Sequence, residues 1–161
     1  EMSVDGRYIA GVVDSQVVVW DVGSGEKVSS LKLEDERAQF QFSTNSDRLV
    51  ISSGDRTELL DVDTGKSVRL DVPANHLIAL SFPPDGRIIV TTSRILDSER
   101  PFLGEEPNFT RGEITVWDAA TGRALRQIEL DDPVYSSALS PDGTRLATTG
   151  YDGSVTVWGI K

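Results

Sequence analysis

His76 is the first residue to weigh, because it is the only histidine in the chain and no cysteine accompanies it. A serine or threonine hydroxyl becomes a nucleophile only with a base at hydrogen-bond distance. His76 could serve one such hydroxyl at most, and the chain holds no G-x-S-x-G elbow to present it. The lack of cysteine removes thiol catalysis, disulfides and thiolate metal sites, and one imidazole leaves too few ligands for a zinc centre. Carboxylates are plentiful, with 26 Asp and Glu. Asp5, Asp85 and Asp142, however, sit in Asp-Gly turns, where bonding to the neighbouring backbone is a sufficient role. The glycines of GSGEK, residues 23–27, fall between two β-rich runs and do not open a helix, so they form no phosphate loop. Asn108 begins N-F-T, a glycosylation sequon with meaning only in an exported chain. We therefore expect no enzyme, no metal and no cofactor here.

Charge narrows the partners. Sixteen Lys and Arg against 26 Asp and Glu leave a formal charge of −10 over 161 residues. A phosphate backbone needs clustered cations, so nucleic acid is not the expected partner; a protein is. Apolar runs such as VVVW, residues 17–20, are far shorter than the roughly 20 residues of a membrane-spanning helix, so no membrane contact is expected. No secretory segment is visible, and a cytoplasmic placement is favoured.

The elements that position these residues come from repetition, at a period of about 40 residues. Turn marks fall at Asp5, Asn45, Asp85 and Asp142, with two equal intervals and then a longer one. A second mark, at Trp20, Leu60, Trp117 and Trp158, keeps the same period and is stretched in the same copy. Between the marks lie RYIAGVV, RLVISSG, RIIVTTS and RLATTG, rich in β-branched residues, which is strand composition. Each copy reads as an antiparallel meander. Strands a are expected near 37–42, 77–82 and 134–139, and strands b near 7–13, 48–53, 87–93 and 145–150. Strands c are expected near 16–21, 57–61, 113–118 and 154–158, and strands d near 26–33, 66–71 and 123–130. The copies run over about 1–33, 34–73, 74–131 and 132–161.

SPDGTRLATTGYDGSVTVW, residues 140–158, together with VWDAATGRALRQI, residues 116–128, resembles the WD-repeat proteins, and the likeness extends over the whole chain in four copies. That resemblance implies an all-β fold, a β-propeller built of four-stranded antiparallel blades with strand a innermost and d outermost. It also assigns Trp20, Trp117 and Trp158 to the Trp at the end of strand c. Asp14 and Asp152, each six residues before its Trp, take the Asp of the b–c turn. The family's hydrogen-bonded tetrad further requires a His from the d–a loop. His76 is the sole candidate, and it lies only nine residues before Asp85, so the tetrad is expected to be incomplete and the blades to rely on packing.

One segment breaks the period. Asp85 lies twice as far from Trp117 along the chain as Asp142 does from Trp158, which places an insertion at 94–110 between strands b and c of the third copy. It carries Arg100, Phe102, Leu103 and Phe109, the aromatic and Arg anchors that interfaces favour. These four are the expected partner-binding residues. In strand count, the first copy has only residues 1–3 where strand a belongs and the last lacks strand d. The expectation is a partial propeller, open at both ends and completed by further blades of a longer chain or by a second copy. Ile9, Val18, Leu146 and Val157 would then be partly exposed. Two functions follow: an interaction scaffold, or a ligand-binding or enzymatic propeller with a pocket in a central channel. The bland strands a, AQFQF, LIALSF and VYSSAL, favour the scaffold.

Overall fold

The computed structural model describes residues 1–35, 38–54, 56–72, 77–97, 99, 102–103 and 106–160. Every element is a strand, every pairing is antiparallel, and no helix occurs among the described residues. The chain divides into two compact units, Glu1–Asn75 and His76–Lys161.

In the first unit, β1 (Tyr8–Val13), β2 (Gln16–Asp21) and β3 (Lys27–Lys32) form one sheet in that order. A second sheet follows the order β4 (Gln39–Phe42), β5 (Arg48–Ser53), β6 (Arg56–Asp61) and β7 (Ser67–Leu70). Residues 1–3 lie along β1. Met2 bridges Ile9, Ser3 N donates to Tyr8 O at 2.9 Å, and Ala10 N donates to Glu1 O at 2.8 Å. Alternation then decides the packing: Tyr8, Ala10, Val17 and Val19 point to one face and bury against Phe42, Leu49, Ile51, Leu60 and Val62 of the second sheet. The Tyr8 hydroxyl adds a 2.8 Å bond to Asp63 across the pair of sheets.

The second unit repeats this with a longer first sheet, β8 (Leu77–Ser81), β9 (Ile88–Leu96), β12 (Phe109–Asp118) and β13 (Ala124–Leu130), in spatial order β13-β12-β9-β8. Between β9 and β12 sits a small ribbon, β10 (Phe102–Leu103) paired with β11 (Glu106–Pro107). The last sheet is β14 (Val134–Leu139), β15 (Arg145–Gly150) and β16 (Val155–Gly159). Val90, Ile114, Val116 and Leu146 form the core between the two sheets, flanked by Ile128, Leu139 and Trp158.

The expected strand positions agree with these sheets to within one or two residues, except at the insertion. There β9 and β12 continue the ladder to Phe109↔Leu96, so part of the predicted loop is sheet. Of the four side chains expected to be partly exposed, Ile9 and Val157 are exposed, whereas Val18 and Leu146 are buried. Leu146 lies on the face of β15 that packs on the neighbouring sheet. Val18 pairs across to Gly11, and the Trp20 ring lies at ordinary van der Waals distance, 3.6 Å, from where a Cβ on Gly11 would stand.

Candidate functional site

The carboxylates of the repeat are engaged in its turns. At the a–b turn, Gly6, Ser46, Gly86 and Gly143 donate back three residues to Ser3, Ser43, Pro83 and Ser140 at 2.8 to 3.0 Å. All four adopt positive φ, between 61° and 72°, which glycine tolerates best. Asp5 and Asp142 each accept bonds from the serine two residues before and the backbone N–H two residues after, and Asp85 accepts the N–H of Arg87. Bonds from Ser140 and Thr144, the Ser140 hydroxyl foremost, hold the Asp142 carboxyl down to about 2. At the c–d turn, Asp21, Asp61 and Asp118 each accept both the backbone N–H and the hydroxyl of the Ser or Thr three residues on. These acids shape turns, and Asp21 also pairs through Oδ2 with Arg7 Nε at 3.3 Å.

The residues assigned to the tetrad separate by copy. Trp117 is 2% exposed and its Nε1 donates to Thr91 Oγ1 at 2.8 Å. In the last sheet, Trp158 Nε1 donates to Thr148 Oγ1 at 2.9 Å. The matching position in the first sheet is Gly11, so Trp20 has no such hydroxyl opposite it. Asp152 turns inward on its own loop, accepting from Ser154 N at 2.9 Å, and that bond lowers its pKa. Asp14, with φ 48°, and Ser15, with φ 57°, form the two-residue β1–β2 hairpin, the geometry of a type I′ turn. His76 lies outside the described residues, as does Arg100.

The insertion gives the second unit its distinctive surface. Phe102 and Leu103 on β10 are 59% and 64% exposed. Phe109 is half buried and lies under Arg94, whose Cζ is 5.3 Å from the Phe109 ring and 5.2 Å from that of Tyr151. Arg94 Nε donates to Val134 O at 3.0 Å, which ties β9 to β14. Tyr151 meets Tyr135 edge to face at 5.6 Å, and both rings are more than half exposed. Arg94, Tyr135 and Tyr151 were not among the expected residues. Their signal lay in the type of residue at ordinary repeat positions: an aromatic beside the b–c turn of TGYDGS and another at the start of VYSS.

Next to Tyr135 and Tyr151 opens a cleft of about 230 Å³, lined among others by Asp131, Asp132, Thr148, Thr149, Ser154 and Trp158. Its shape depends on Gly112, because a Cβ there would stand 2.7 Å from Val134 Cγ2 and 3.0 Å from Asp132 O. Only glycine lets the 132–134 link run this close to β12.

This geometry agrees with what the chain is similar to. Residues 125–159, from β13 through β16, match the family model of the WD domain, G-beta repeat. U3 small nucleolar RNA-associated protein 21 of Saccharomyces cerevisiae is 28% identical over 98% of this chain. WD repeat and SOCS box-containing protein 1 of Takifugu rubripes is 26% identical over 92% of it, and Transducin beta-like protein 3 of Bos taurus is 30% identical over 74%. The sheets are antiparallel meanders of the kind that build β-propeller blades, the segment 125–159 carries a WD repeat, and along its length the chain is similar to WD-repeat proteins. It spans 16%, 33% and 14% of the lengths of these relatives.

Proposed function

We propose that this chain is a protein-binding scaffold without catalytic activity, and that a partner docks on the insertion between β9 and β12. One observation carries the reading: the exposed Phe102 and Leu103 stand on a ribbon rooted in the two longest strands of the chain. A rigid sheet can hold such a ribbon while leaving its tip free to vary, which is the usual division between framework and binding loop. Exposed aromatic and aliphatic side chains in a charged rim are what interface anchors look like before they are covered. Arg100, also expected on this surface, belongs to the same segment. The name of one relative associates it with U3 small nucleolar RNA. This chain's charge of −10 instead supports a protein partner over nucleic acid.

The test replaces residues 97–108 by Asn-Gly, which closes Leu96 and Phe109 through a two-residue hairpin. The variant should keep the far-ultraviolet circular dichroism of the parent and bind a partner captured by the parent at least tenfold more weakly. Equal affinity would return the ribbon to a surface excursion with no binding role.

A further inference from the structure

No described residue of β10 or β11 lines the cleft that adjoins Tyr135 and Tyr151 in the chain, and its chemistry selects a particular kind of occupant. We infer that it receives a lysine or arginine side chain from an extended basic segment of a protein partner. The inference rests on the scaffold reading and specifies what one part of the surface binds.

Shape comes first. The volume of about 230 Å³ equals that of several waters at about 30 Å³ each, which is the scale of one long side chain. Trp158 and the buried Thr148 line it and give it an apolar and hydroxyl floor. The walls then supply the charge. Asp131 and Asp132 line it and stand exposed, as does Ser154. Glu129, which also lines it, is already paired with Arg111 at 3.0 Å, so Asp131 and Asp132 are the carboxylates left to meet an incoming cation. Oxygen acceptors with no lining Lys or Arg favour a cationic guest.

The neighbouring rings provide an independent reason. Arg94 already stands over Tyr151, its Cζ 5.2 Å from the ring centre, so the ring left for an incoming cation is that of Tyr135. Tyr135 presents a second ring, 64% exposed and set at 75° to the first. A chain crossing here can lower one basic side chain into the cleft, which Val134 and Gly150 line, and lay another against the adjoining Tyr135. The net charge of −10 steers such a segment toward the surface, and the cleft fixes where it stops.

Fluorescence anisotropy with labelled hexa-arginine, hexa-lysine and hexa-glutamate peptides tests this on the full 161-residue chain. Hexa-arginine and hexa-lysine should bind and hexa-glutamate should not. The double variant Asp131→Asn/Asp132→Asn and the variant Tyr135→Ala should each weaken binding about tenfold. Tyr151→Phe, which keeps the ring, should bind within twofold of the parent. Glu26→Gln, an exposed acid of the first unit, should also change binding less than twofold. Equal losses in Glu26→Gln and the cleft variants would mean unspecific charge attraction and overturn the inference, as would hexa-glutamate binding. The ribbon replacement keeps the two readings apart. Retained peptide affinity there, with loss in the cleft variants, supports the cleft. Loss in the ribbon variant alone overturns the cleft and leaves the docking ribbon standing.

Discussion

Tryptophan is the residue on which the blades turn, and its environment differs among the copies in a way that predicts different costs. Trp117 is fully buried and its indole N–H is satisfied by Thr91. Truncating Trp117 to Ala should cost about 3–5 kcal/mol. Thr91→Val keeps the volume and orphans the N–H, which should cost about 1–3 kcal/mol. Denaturant midpoints of the two variants check the order. Acid should act through Asp142. Its pKa is depressed to about 2 from an ordinary 3.8 by the bonds it accepts, so the unfolded chain binds its proton first as pH falls. The stabilisation is therefore complete above about pH 4 and disappears between about pH 4 and pH 2. Asp142→Asn should be less stable than the parent at pH 7, with the gap closing by about pH 2. Asp5, Asp21, Asp61 and Asp152 are lowered in the same direction by their turn bonds, so the whole chain should lose stability as acid protonates them.

Among the elements, the link from β13 to β14 has little tolerance. Gly112 admits it against β12, and a methyl group there would meet both Val134 and the Asp132 carbonyl. Gly112→Ala should destabilise the second unit by about 1–3 kcal/mol, the usual cost of overpacking against backbone. It should also alter the cleft that this link lines, so peptide affinity should fall along with the melting temperature. The period showed that Arg94 to Thr110 is extra chain, but not how much of it would pair. The residues that extend the ladder, Ile95, Leu96, Phe109 and Arg111, look like any half-apolar loop until β9 and β12 are placed side by side.

Across the whole molecule, the end sheet leaves work for another surface. Val155 and Val157 point out from β16, Val157 being 61% exposed, and β16 pairs only with β15 among the described residues. An apolar strand with an open edge templates association. The isolated chain should therefore sediment as species heavier than its own 17.5 kDa. Val155→Lys/Val157→Lys should shift it toward the monomer mass. A monodisperse monomer from the parent chain would show that this edge is self-sufficient.

Local chemistry alone determined the meanders. Asp-Gly and Ser/Thr-Gly pairs recurring with one period, with β-branched runs between them, dictate where each strand starts and stops because turn conformation and strand propensity are properties of neighbouring residues. That is why Phe102 and Leu103, in the segment that broke the period, could be singled out from the sequence. The surface around them depended on distance in space. Arg94 and Phe109 lie on β9 and β12 and Tyr151 in the β15–β16 turn, and only the packing of one sheet on the next brings the guanidinium to both rings. The same holds for Leu146 and Val157, both apolar and both in strands, one sealed and one open. Which face of a strand is covered is decided by the neighbouring sheet, and no residue carries that information by itself.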